Sequence, residues 1–189
     1  MMRYREPQPG IITMPLLEAD ESATVLADLK ANHEWEPATV RGQAKPEHQA
    51  PKVRSATVSS LEAQSEHSLL FRGRIQSFVR PLIRKRWNRD IMHHSSIQLV
   101  KYVPGDFYVA HRDSGRQFDN RYFTVVCYLN DGFKGGGTYF PSSDFTVQPE
   151  AGKAVVFPSD YLHRADKLIE GVKYIAVIWM LDTPPTKWI

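Results

Sequence analysis

The sequence predicts a mainly β fold with flanking helices, a sandwich or jelly roll, and three observations predict it. From about residue 95 the chain breaks into short β-rich runs: SIQLVKYV, DFYVAH, RYFTVVCYLN, GTYF, DFTVQ, KAVVFP and VKYIAVIWML. Turn signals separate them, at Pro104-Gly105, Asn130-Asp131-Gly132, Gly135-Gly136-Gly137 and between Pro149 and Gly152. Roughly seven or eight strands within about 90 residues leave no room for the helices that alternate with strands in a βαβ chain.

The elements before that point read as mostly helical. DESATVLADLKA, about 20–31, predicts one helix, and about 64–87 predicts a second that Pro81 kinks. In the second, Phe71, Ile75, Phe78 and Leu82 recur at the helical period, so Arg80, Arg84, Lys85 and Arg86 fall on its solvated side. EWEPATV between the helices reads as a short strand. RGQAKPEHQAPKV, 41–53, with two prolines, a glycine and hardly an apolar residue, reads as an exposed loop and a candidate lid. A chain of 189 residues, 42% hydrophobic and 24% charged, is expected to form one domain. Residues 1–94 would be its helix-rich support and 95–182 its β core.

Charge and composition then exclude several classes. A net charge of +3, from 24 Lys+Arg against 21 Asp+Glu, is mild. RPLIRKRW has no stacking aromatics interleaved with its charges, which argues against nucleic acid as a partner. The sequence shows neither a long apolar span nor a signal-peptide pattern, so no membrane role is expected. The single cysteine, Cys127, rules out an intrachain disulfide and fits a reducing compartment, so the expected location is the cytoplasm. Mid-strand beside Val126, it reads as a small buried hydrophobe.

The chemistry concentrates around HRD, residues 111–113. Residues i and i+2 of a strand share a face, so His111 and Asp113 can point inward together while Arg112 points away. A neutral imidazole and a carboxylate suit Fe(II), Mn(II) or Zn(II). A third ligand from another strand would complete a 2-His-1-carboxylate triad with three positions left open. His163, in AVVFPSDYLH, is the candidate. Ten residues on, Lys173 shares its parity with Ile175, Val177 and Trp179. A lone ammonium on that apolar face must snorkel outward or bind an anion, and the residues alone favour snorkelling. Thr124, Val126 and Tyr128 form a second inward row. His33, His48, His67, His93 and His94 have no second ligand at a recognisable spacing, and Trp179 reads as core.

Together, YVPGDFYVAHRD, RYFTVVCYLND, GGGTYFP, VQPEAGKAVVFPSDYLH and GVKYIAVIW resemble the Fe(II)- and 2-oxoglutarate-dependent dioxygenases, in their prolyl 4-hydroxylase-like branch, over residues 96–181. The resemblance implies a double-stranded β-helix, a cupin-like jelly roll packed against N-terminal helices, with Fe(II) held by His111, Asp113 and His163. It reverses the snorkelling reading, because it implies that Lys173 pairs with the distal carboxylate of 2-oxoglutarate. Tyr102, Thr124 and Tyr128 would then lie around the cosubstrate and Tyr108 near the substrate, although a core role competes for each tyrosine. The segments 41–55 and 114–121 would face the substrate, with Arg54, Arg116 and Arg121 as candidates to meet an anionic group. The implied reaction consumes O2, decarboxylates 2-oxoglutarate to succinate and CO2, takes ascorbate as a stimulant, and hydroxylates an aliphatic C–H. Its substrate would be amino-acid-like, peptidyl (prolyl included) or a small metabolite. Asp113 favours hydroxylation over chlorination, since related halogenases carry a small residue there. Two other readings stand beside it: a cupin-like metal-binding or sensing protein without turnover, and a nucleic-acid demethylase of the same superfamily, where an arginine is usual in place of Lys173.

Overall fold

The computed structural model describes residues 3–38, 53–115, 118 and 120–185. Strands β1 (Arg5–Gln8) and β2 (Ile11–Pro15) precede helix α1 (Ala19–Asn32), and β3 (Glu36–Pro37), β4 (Arg54–Ser55) and β5 (Thr57–Ser60) follow it. Helix α2 (Glu66–Arg74) passes through a π-helical turn, Ile75–Val79, into α3 (Arg80–Trp87). Then come β6 (His93–His94), β7 (Gln98–Tyr102), β8 (Phe107–His111), β9 (Arg121–Tyr128), β10 (Lys134–Gly135) and β11 (Thr138–Phe140). The last are β12 (Phe145–Val147), β13 (Lys153–Pro158), β14 (His163–Ala165), β15 (Leu168–Glu170) and β16 (Lys173–Leu181).

A nine-stranded sheet runs β1-β2-β13-β9-β16-β7-β5-β3, with β6 also on β16, and a five-stranded sheet runs β12-β11-β14-β8-β4. Strand alternation gives the large sheet two different faces. Phe123, Val125 and Cys127 of β9, Ala154 and Val156 of β13, and Tyr174, Ala176 and Ile178 of β16 pack with Val25, Leu29, Phe71, Ile75 and Leu82 of the helices. The alternate residues Val126, Tyr128, Val155, Phe157, Ile175 and Val177 point the other way and meet Phe140, Val147 and Leu168 in a second core. Two facing antiparallel sheets with a chamber between them are the double-stranded β-helix that the sequence leads one to expect. The inward rows of β9 and β16 line that chamber.

The N-terminal half departs from the mostly helical expectation. α1 lies where predicted, with Asp20 and Glu21 at its positive end and Lys30 in its last turn. But β2 pairs with β13 and β5 with β7 in the large sheet, and β4 with β8 in the five-stranded one, so both sheets draw strands from both sides of residue 95. IITMP is too short, with only Thr13 polar, for its periodicity to declare a strand. EWEPATV yields only the two-residue β3. The expected loop at 41–53 lies outside the described residues apart from Val53.

Pro81 produces a π turn rather than a simple kink. Proline has no N–H to give to the carbonyl four residues back, and the helix widens just before it, with the Arg80 N–H reaching the Ile75 carbonyl. The wider turn moves the buried stripe by one residue. Val79 is fully buried while Phe78, the residue that a regular period selects, is only half-buried. Arg84, Lys85 and Arg86 are exposed as expected, and Arg86 ties α3 to β1 through Glu6 at 2.9 Å.

Phe71 is fully buried between α2 and the large sheet. Phe71→Ala is expected to cost about 3–5 kcal/mol in urea-induced unfolding, through lost transfer energy and the cavity left behind.

Candidate metal centre

One cross-strand pair starts the centre. β14 lies antiparallel to β8 with His163 directly opposite His111, and their ring centroids are 4.3 Å apart. Asp113 lies past the end of β8, so strand parity alone does not aim it. A bend does: the Asp113 and Ser114 N–H groups both donate to the Ser159 carbonyl, at 2.8 and 3.1 Å. The carboxylate then lies between the imidazoles, with Oδ1 3.5 Å from His111 Nε2 and Oδ2 3.5 Å from His163 Nε2. All three ligand atoms fall within 4.8 Å of one another.

Hydrogen bonds set the state of each ligand. His111 Nδ1 lies 2.9 Å from the Val109 carbonyl and His163 Nδ1 3.0 Å from the Tyr161 carbonyl. A carbonyl only accepts, so both Nδ1 atoms carry a hydrogen, and whenever the rings are neutral each Nε2 lone pair is the one turned toward the centre. Burial pushes the His163 pKa down against the pull of Asp113, which keeps this imidazole neutral. Burial also pushes the Asp113 carboxyl up, but His111, His163 and the Thr124 hydroxyl outweigh it and hold the group well below the usual carboxylate range. Two imidazole lone pairs and one carboxylate form a donor set that fits Fe(II), Mn(II) or Zn(II).

Along the same chamber, Lys173 does not snorkel. It is 1% exposed, its Nζ donates to the Gly136 carbonyl at 2.6 Å and lies 4.5 Å from the centre of the Tyr102 ring. Among the described residues no carboxylate lies within ion-pair distance. Burial therefore pushes its pKa down to about 7, against a weaker opposing pull from Asp166. Gly136 permits this approach: with φ at +68°, a Cβ there would sit 3.2 Å from Lys173 Cδ and 3.0 Å from Leu168 Cδ1. Tyr128 is fully buried beside Lys173, with its hydroxyl 2.6 Å from Thr138 Oγ1. Tyr102 is buried on the adjacent β7, opposite Lys173 in register. Thr124 sits at the other end of its row, where Oγ1 donates to Asp113 Oδ2 at 2.8 Å.

The substrate candidates separate. Tyr108 stacks on His111, centroids 3.6 Å apart at 18°, and the Arg54 guanidinium covers Tyr108 at 4.8 Å. The Arg54 Nε is buried with no hydrogen-bond partner among the described residues. Arg121 lies between Phe118 and Trp179, 3.9 and 3.7 Å from the ring centroids. Arg116 and His48 lie outside the described residues. Arg112 is exposed and donates to the Asp160 carbonyl, away from the metal ligands. His33 and His67 flank Asp28 at 3.6 and 3.3 Å, a contact that their sequence spacing does not reveal. A cleft of about 510 Å³ between α1 and β5, lined by Asp28, His33, Ser59 and Ser65 among others, includes no member of the triad. Burial raises the Cys127 thiol, so it is no nucleophile. Sequence reasoning misses Ser159 and Thr138. Each lies at a strand end and becomes a partner only through a contact distant in sequence.

Residues 97–181 match the family model described as the 2OG-Fe(II) oxygenase superfamily. A PKHD-type hydroxylase of Crocosphaera subtropica is 23% identical over 187 residues, covering 90% of this chain and 78% of that protein. Prolyl 4-hydroxylase 1 of Arabidopsis thaliana is 30% identical over 112 residues, 44% of this chain and 40% of the plant protein. The chain spans 21–61% of the length of several other curated relatives it matches. Among solved structures, a Pseudomonas putida prolyl-4-hydroxylase superposes with a TM-score of 0.76 at 20% identity, covering 94% of this chain and 95% of that one. It shares the fold.

Lys173 gives the ligand-free protein a testable pH dependence. Its pKa falls from the ordinary 10.5 to about 7 on folding, so between those values the unfolded chain holds the extra proton and this group adds stability as pH rises. The slope reaches about 1.4 kcal/mol per pH unit. Thermal melting from pH 7 to 9 should show this rise in the wild type and lose it in Lys173→Met.

Proposed function

We propose that this chain, whose residues 97–181 match the 2OG-Fe(II) oxygenase superfamily model, is an oxygenase of that superfamily and hydroxylates an aliphatic C–H of a peptidyl, prolyl-containing substrate. The observation that carries the reading is Lys173: a buried cation without a carboxylate partner among the described residues, in the same chamber as a His/Asp/His donor set. A dianionic 2-oxo acid supplies the missing charge, and charge-assisted hydrogen bonds in a water-excluded site make the pairing strong.

Each residue then has a task. His111, Asp113 and His163 hold Fe(II), which when bound supplies the chemistry that couples decarboxylation of 2-oxoglutarate to succinate and CO2 with C–H hydroxylation by O2. Lys173 takes the distal carboxylate of 2-oxoglutarate, with Tyr102 and Tyr128 as the walls around it. Val126, Ile175 and Val177 add apolar side chains to the same cluster. Tyr108, Arg54 and Arg121 would receive the substrate, with the Arg54 Nε offering a donor that no other described residue uses. The prolyl 4-hydroxylase names among the relatives support the peptidyl choice. We place the activity in the cytoplasm, with residues 95–182 as its catalytic core and ascorbate as a stimulant of turnover.

Succinate release from 2-oxoglutarate with Fe(II) should rise with proline-containing peptides, which should gain one oxygen by mass spectrometry. Stimulation by free amino acids alone would redirect the substrate assignment to a small metabolite. Asp113→Ala should abolish succinate formation, and surviving turnover would refute the ligand assignment. Lys173→Ala should weaken 2-oxoglutarate binding by about 2–4 kcal/mol, roughly 30- to 900-fold. Because the free lysine titrates near 7 and the dianion prefers its charged form, affinity should fall by up to about tenfold per pH unit above that value.

A further inference from the structure

Behind Asp113 lies a second buried hydroxyl that the chemistry above does not use. Thr124 Oγ1 is 2.8 Å from Asp113 Oδ2 and 2.9 Å from Ser159 Oγ, and Thr124 and Ser159 are both fully buried. The direction of this chain is forced. An ionised carboxylate only accepts, so Thr124 must give it its single hydroxyl hydrogen, and toward Ser159 it can then only accept. Ser159 is therefore the donor, and the order is Ser159 to Thr124 to Asp113.

Ser159 also has both backbone groups committed. Its carbonyl takes the N–H groups of Asp113 and Ser114, and its N–H donates to the Tyr122 carbonyl. One residue thus holds the Asp113 main chain directly and its side chain through Thr124. It lies just past the end of β13, four residues before His163, and so ties the bend carrying Asp113 to the segment carrying the second histidine.

We propose that Ser159 is a positioning residue of the metal centre, orienting the Thr124 hydroxyl onto Oδ2 so that Asp113 offers Oδ1 as its free donor. A carboxylate held this way ligates through one oxygen and leaves coordination positions for other ligands. The proposal rests on the metal-centre reading above.

The test is Co(II) titration of the full chain, followed by visible absorption, with melting of the metal-free protein alongside. Ser159→Ala removes only the hydroxyl and should weaken Co(II) binding about 3- to 10-fold with a changed spectrum. Thr124→Val, which breaks the bond to Asp113 itself, should cost about 10- to 100-fold, and Thr124→Ser should restore near wild-type binding. The two losses must not add: in the Thr124→Val background, Ser159→Ala should change the affinity by less than about twofold. If Ser159→Ala fails to fold, Ser159→Cys, a weaker donor of similar size, should show the same loss. Unchanged binding and spectrum in Ser159→Ala, or an undiminished loss in the double variant, overturns the proposal. A wild-type protein whose Co(II) binding ignores His111→Ala overturns the metal-centre reading, and the proposal with it.

Discussion

The registration of two short strands underlies everything at the centre of this protein. His163 faces His111 across β8 and β14, and β14 is only three residues long, held on its other side by β11 through Thr138 and Tyr139. A slip of one residue in that pairing would turn His163 to the opposite face of the sheet and leave Asp113 with one imidazole. The rings are further restrained by packing. Phe157 meets His163 edge-on at 4.7 Å and Tyr108 lies flat on His111. Apolar contact thus fixes side chains whose lone pairs must converge within a few ångströms.

The chamber holds two buried ionisable groups of opposite tendency. Asp113 is kept charged by the imidazoles and the Thr124 hydroxyl that surround it. Lys173 has a single carbonyl and two aromatic faces, and burial draws it toward the neutral form. A core built only for stability would not hide an ammonium without a carboxylate. On β9, Thr124 lies in mid-strand and Tyr128 at the strand's end, four residues and about 13 Å apart at the usual rise per residue. One inward row therefore reaches from the metal ligands to the buried cation.

Local pattern was legible where it was long or strongly marked. α1 and the seven β runs after residue 95 lie where hydrophobic period and turn residues put them, and the inward rows of β9 and β16 follow from alternation alone. Legibility failed where a local signal was short or overridden. β2 shows no clear period because it is five residues long with a single polar position, Thr13. Val79 replaces Phe78 in the helical stripe because Pro81 inserts a wide turn. His33, His67 and Asp28 gather through helix packing and not through spacing.

The sequence by itself determined the donor types: two histidines, one aspartate and one lysine of the inward parity, with turn residues that allow tight returns. Parity is a property of the strand backbone, so it can be read from neighbouring residues. Only the tertiary structure decided that Asp113, past the end of its strand, still turns inward, since the Ser159 carbonyl that bends it lies 46 positions along the chain. It also decided that Lys173 stays inside, because the Gly136 carbonyl that receives its hydrogen arrives from another strand connection. Hydrogen bonds between residues far apart in sequence leave no periodic trace, and those bonds convert a list of suitable side chains into a centre.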